Sequence, residues 1–140
     1  MLNSHYLAAD YIVDGSEPLV LKVNCASSAL LGLHHRHGVD CSAFLTAFNP
    51  FSQRCSDEEN MRAQQELILL LGQGGYVNLP GRGVDPGGSW PAEESVLVLG
   101  ISASEASRLA RHFRQNALLA MAADAVPRLV WVQPAESPAD

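Results

Sequence analysis

Short apolar runs separated by turn residues open the chain. Residues 11–13 and 19–23 are β-branched, aliphatic or aromatic apart from Lys22, and the Asp-Gly-Ser-Glu-Pro between them is a turn by composition. The pair predicts a hairpin. Ser27 or Ser28 predicts the cap of a short helix through Leu30, Leu31, Leu33 and His34, and Gly38 predicts its stop. Residues 42–48, Ser-Ala-Phe-Leu-Thr-Ala-Phe, predict the central strand. It should end at Asn49-Pro50, where proline interrupts the ladder and is expected to hold Asn49 extended. Ser56-Asp57-Glu58-Glu59 has the form of a capping box, with Ser56 as N-cap and three acids at the positive end of the helix dipole. That helix is expected to run to about Leu71 and to end at Gly72, Gly74 and Gly75.

Residues 76–79 predict a short strand, residues 80–92 a Gly- and Pro-rich loop, and residues 95–101 a fully apolar strand deep in a sheet. Ser102-Ala103-Ser104-Glu105 reads as a second capping box. The helix it opens should reach about Arg114, with an apolar stripe of Ala103, Ala106, Leu109, Ala110 and Phe113. Residues 118–122 and 128–132 predict a closing hairpin that turns at Ala125-Val126-Pro127, and polar residues 133–140 predict a frayed tail. The expected order is β-β-α-β-α-β-β-α-β-β. Strands and helices are mixed without the regular alternation of a doubly wound sheet. The fold class is therefore α+β: a single domain over residues 1–132, with a mixed or mainly antiparallel sheet and three helices mostly on one face.

Composition narrows the setting. A chain of 140 residues fits one domain and needs neither disulfide nor metal to bury a core. Charged residues are only 17%, so either a second subunit covers some surface or Ala and Gly occupy it; a homodimer is one expectation. The net charge is −6, and no Lys/Arg-rich run is present, which argues against a nucleic-acid partner. Eight of the nine basic residues are Arg, and with the Ala, Gly and Leu richness this suggests a GC-rich bacterial genome. Cys25, Cys41 and Cys55 are odd in number and form no C-x-x-C motif, as expected of free thiols in a reducing cytoplasm. The longest apolar runs, such as residues 67–71 and 96–101 and the seven residues 117–123, fall far short of the ~20 residues needed to span a bilayer, so no membrane partner is expected.

Several polar residues lack a compositional reason. Asn49 sits at the end of the central strand; it either caps its own loop through an Asx-turn or faces a ligand. Asn60 and Gln64 are four apart and share a helix face with Ala63 and Leu67, so both need polar partners if that face is buried. The loop over residues 80–92 carries Arg82, Asp85 and Trp90. Its glycines match neither a P-loop nor a dinucleotide fingerprint, and no cofactor is expected. Trp90 should anchor this loop or stack on a partner. Arg108, Arg111 and Arg114 step along the last predicted helix, where they suit the dipole or form an anion pocket. His34, His35 and His37 have no Cys or acid at ligand spacing, so no metal is expected.

Four short motifs come in a familiar order: Thr46-Ala47-Phe48-Asn49-Pro50, Asn60, Gly83 through Trp90-Pro91-Ala92-Glu93-Glu94-Ser95, and Phe113-Arg114-Gln115-Asn116-Ala117. Their set resembles a bacterial family catalogued as domain of unknown function 3293, over residues 10–132. The resemblance implies that the family's polar positions fall on Asn49, Asn60, Glu93 and Gln115. One departure is Arg114, where the family often carries a small residue. The resemblance also selects Glu93 over Glu94 as the inward carboxylate, since strand neighbours face opposite ways. Glu93 is then either a half-buried base or the partner of Arg82, Arg111 or Arg114 in an ion pair.

Two functional readings follow. In the first, Asn49, Asn60, Arg82, Trp90, Glu93 and Gln115 form a pocket for a small polar or anionic molecule. In the second, the domain is an interaction or dimerisation module and these residues brace its loops. Neither reading assigns a catalytic residue.

Overall fold

The computed structural model describes residues 6–15, 18–88 and 90–132. The centre of the first predicted turn and the predicted tail over residues 133–140 lie outside them. The elements are β1 (Asp10–Val13), β2 (Leu19–Leu21), α1 (Ser28–His37), β3 (Ser42–Leu45), α2 (Asp57–Gln73), β4 (Val77–Val84), β5 (Glu93–Leu99), α3 (Ala103–His112), β6 (Ala117–Met121) and β7 (Arg128–Trp131). A 3₁₀ turn, Pro50–Ser52, follows β3, and residues 6–8 are helical. The labelled strands and helices come in the expected β-β-α-β-α-β-β-α-β-β order.

All seven strands join one sheet in the order β2-β1-β4-β5-β3-β6-β7, and every pairing is antiparallel. β3 lies between β5 and β6, and all four of its residues are buried. Its side chains alternate between two cores. Ala43 and Leu45 pack with Val96 and Val98 against Leu67 and Leu71 of α2 and Ala106 and Ala110 of α3. Phe44 packs with Leu97, Leu119 and Met121 against Leu30 and Leu33 of α1. Two helices thus cover one face and the third covers the other. Each fully buried Leu stabilises the fold by about 1.5–3 kcal/mol.

The helix boundaries follow their caps. Ser27 caps α1, and Gly38 closes it in the left-handed region at φ 66°. Ser56 and Glu59 form the complete reciprocal box expected for α2. Gly72 does not end that helix; it runs to Gln73 and closes at Gly74. At α3 only half of the expected box is made. Ser102 accepts from the Glu105 N–H, while the Glu105 carboxylate turns to Arg108 instead.

Three boundaries depart from expectation. β3 stops at Leu45, because the next polar side chains leave the ladder: Thr46 Oγ1 donates to Glu94 O and accepts from the Phe48 N–H. Asn49 is not extended but left-handed, at φ 49° and ψ 64°. Asn tolerates that region better than most residues, and its backbone and side chain are held by four hydrogen bonds to three residues, as described below. The loop predicted over residues 80–92 is shorter, because β4 continues to Val84. Pro80 is accommodated because its carbonyl accepts from the Asp14 N–H, so its missing donor points away from β5. Gly81 allows close strand contact: a Cβ there would lie 2.4 Å from Ile12 O.

Candidate binding site

One end of the sheet gathers the C-terminal ends of β3 and β4 with the N-terminal ends of β1, β5 and β6. The backbone there is unusual. Asn49, Phe51, Ser52 and Arg114 all have positive φ, and the Phe51 N–H donates to Arg114 O over 2.8 Å. This hydrogen bond ties the 3₁₀ turn to the α3–β6 connection. Such conformations cost energy in non-glycine residues and persist only where surrounding contacts hold them.

Asn49 is the hub of those contacts and is 4% exposed. Its backbone N–H donates to Asn60 Oδ1 (2.8 Å), and its Oδ1 accepts from Asn60 Nδ2 (2.9 Å) and the Cys55 N–H (2.9 Å). Its Nδ2 donates to Glu93 Oε2 over 2.7 Å. The Asn49 carbonyl oxygen of the side chain therefore spans the loop to Cys55, in place of a local Asx-turn. One helical turn beyond Asn60, Gln64 Oε1 accepts from the Ala47 N–H (3.0 Å), a strand-end donor that the ladder no longer uses. Both polar residues on the buried face of α2 thus serve the chain that leaves β3. Gln115 holds the same segment from the other side: its Nε2 donates to Phe48 O (2.9 Å) and, more weakly, to Phe113 O (3.4 Å).

Glu93 faces this network while Glu94, one residue on, is exposed, as strand alternation requires. Glu93 Oε2 accepts from both Asn49 Nδ2 and Trp90 Nε1 (2.8 Å). The expected ion pair is not made; among the described residues no cation lies within ion-pair distance of Glu93. Its Oε1 takes no hydrogen bond from the described residues. Trp90 is anchored as expected, by its indole N–H, and the Arg54 guanidinium lies 5.7 Å from its ring centroid.

These groups border an open cavity of about 480 Å³. Asn49, Glu93 and Gln115 line it together with Trp90, and Tyr6, Tyr11 and Val84 form much of its apolar wall. Ser52 and Asp85 add polar edges. Ser52 Oγ accepts from Asn116 Nδ2 (3.0 Å) and lies 3.2 Å from the Tyr6 hydroxyl, while the Tyr11 hydroxyl donates to Tyr6 O (2.7 Å). Burial, then the nearby Tyr6 and the Glu93 charge, push the Tyr11 hydroxyl well above its ordinary pKa, so it stays a donor.

Two expectations about site membership are corrected. Arg82 does not line the cavity: it pairs in register with Ile12 and Glu94, on the face opposite Tyr11 and Glu93, and its guanidinium binds Asp14. Asn60 does not line it either, and acts one layer behind Asn49. Arg108, Arg111 and Arg114 are exposed and form no anion pocket, with Arg108 paired to Glu105. Tyr6 and Tyr11 were missed, because nothing local to β1 announces that the sheet sets it two strands from Glu93. Among the described residues no cluster of three His, Cys, Asp or Glu side chains could hold a metal, and no helix is long and apolar enough to cross a membrane. Cys25, Cys41 and Cys55 are unpaired.

The model of one protein family, described as "Protein of unknown function (DUF3293)", matches residues 45–118, just over half the chain. The match is narrower than the span over residues 10–132 that the motifs suggest. It includes every site residue expected from sequence, and leaves Tyr6 and Tyr11 outside. No curated protein and no solved structure matches the chain.

Proposed function

The chain belongs to the DUF3293 family, and from that premise we propose that it binds a small polar molecule in the cavity at the Asn49 end of its sheet. One observation carries this reading: Asn49, Glu93 and Gln115, from three separate elements, border one open cavity of ligand size. The inner hydrogen bonds brace the loop, and the cavity-facing surface is left for a ligand. The strained turn around Asn49 supports the same reading, since such strain gathers at functional sites. The three unpaired thiols fit a reducing compartment, and a bacterial cytoplasm is the setting we propose.

The test is ligand-observed NMR with a library of small polar metabolites. Gly83→Val puts a side chain into the cavity; a Cβ there meets the Tyr11 ring only at ordinary contact, 3.8 Å, so the fold should tolerate it. Hits are expected to bind wild type and Arg82→Ala alike and to lose binding to Gly83→Val. Hits indifferent to Gly83→Val would refute the cavity as the binding site.

A specific observation favours a second reading, self-association through α2. Met61, Ile68 and Leu69 are large apolar side chains exposed on the outer side of that helix. Light scattering that finds a strict monomer at high concentration would end it.

A further inference from the structure

We infer that the cavity takes an organic cation, a molecule that presents a protonated amine to Glu93. The inference rests on the pocket reading above and narrows its ligand by charge.

Among the described residues, Glu93 is held by hydrogen bonds and by no cation. Both groups that bind its Oε2, the Asn49 amide and the Trp90 indole, are uncharged donors. They fix the orientation of the carboxylate and leave its charge at the cavity wall. Its second oxygen, Oε1, takes no hydrogen bond from any described residue. A second carboxylate, Asp85, borders the same cavity, with its Oδ1 accepting from the Gly87 N–H.

An anion finds little to bind. Among the described residues, no Lys, Arg or His lines the cavity. Three arginines neighbour lining residues in sequence, and none of them lines the cavity: Arg82 binds Asp14 on the opposite face, Arg54 lies over the Trp90 ring, and Arg114, beside Gln115, is exposed. The Gln115 amide spends its hydrogens on Phe48 O and Phe113 O, and Asn49 Nδ2 already serves Glu93. A carboxylate or phosphate would meet negative charge and engaged donors. A cation would meet Glu93 Oε1, which takes no hydrogen bond from the described residues, and the rings of Tyr6 and Tyr11, which line the same cavity and whose π-systems attract positive charge. The net charge of −6 adds a long-range field of the same preference.

The experiment uses three probes of one shape and different charge: 2-phenylethylamine, 2-phenylethanol and 3-phenylpropionate. Each is titrated by calorimetry or NMR into wild type, Glu93→Gln and Gly83→Val at low salt. A hydrogen bond to a charged group predicts that the amine binds wild type at least about tenfold more tightly than the alcohol, and the carboxylate most weakly. Glu93→Gln should bring the amine to the level of the alcohol, and Gly83→Val should weaken both. An amine that binds no better than the alcohol or the carboxylate, a preference that survives Glu93→Gln, or no binding of any probe would overturn the inference. The two levels separate cleanly. Alcohol or carboxylate binding that Gly83→Val abolishes would sink the charge preference and leave the pocket standing. Should Glu93→Gln fail to fold, the wild-type ranking of the three probes decides alone.

Discussion

The two ends of β3 both bury polar side chains, and those at its C-terminal end border the cavity of about 480 Å³ while His34 and Ser42 at its start do not. At its start, Ser42 Oγ meets His34 Nε2 at 2.8 Å, and His34 is 1% exposed. This is a single closed pair between α1 and the sheet. His34 Nδ1 has no hydrogen-bond partner among the described residues, and His34 does not line the cavity at the Asn49 end. Beyond its end, Asn49, Asn60, Gln64, Glu93 and Gln115 hold one another and the backbone through many hydrogen bonds, and three of them reach the cavity wall. Burial of polar groups is thus no mark of a site by itself. What distinguishes the second end is convergence of several elements, a left-handed backbone and one carboxylate oxygen left open.

The largest effect should come from breaking the hub. Asn49→Ala leaves the Cys55 N–H, Asn60 and Glu93 short of partners and places alanine in the left-handed region. A loss of about 3 kcal/mol is expected by chemical denaturation. A loss under about 1 kcal/mol would mean that the network braces little. A smaller effect of opposite sign is expected at Arg114, whose φ of 57° suits glycine. Arg114→Gly should raise stability by about 0.5–1 kcal/mol. A drop in melting temperature would show that the arginine side chain matters more than its backbone.

The shallowest effect lies at the His34 end and sharpens the contrast. Burial holds the His34 pKa below its ordinary value, against the raising effect of the nearby Asp40 charge and with a further lowering from His35. The neutral form is therefore the folded form, and the unfolded chain binds the proton more readily. The stability tied to His34 is complete above the unfolded value of 6.5 and declines as pH falls below it towards the folded value. His34→Leu should flatten the stability profile on that acid side by less than one proton per molecule. Parallel profiles for wild type and variant between neutrality and mild acid would remove His34 as a source of acid sensitivity.

Local chemistry made much of the fold legible. The Ser27, Ser56 and Ser102 caps, the Gly38 stop and the alternating apolar runs each act over a few residues, and the elements fall where those signals stand. The errors lie where a distant partner wins. Arg82 and its glycines read as loop because their strand character comes from pairing with β1 and β5, not from their own propensity. Asn49 reads as extended because a proline follows it, but hydrogen bonds from α2, β5 and Cys55 override that local preference.

By itself the sequence determined the order of elements, their caps, the α+β class and the polar residues in need of partners, because these depend on side-chain periodicity and neighbours within a turn. Only the tertiary structure decided that Glu93 meets Asn49 and Trp90 and not an arginine, that Arg82 faces away, and that Tyr6 and Tyr11 complete the wall. Those outcomes depend on strand order and register. A shift of one residue moves a side chain to the other face of a sheet, and no local pattern in the chain records that choice.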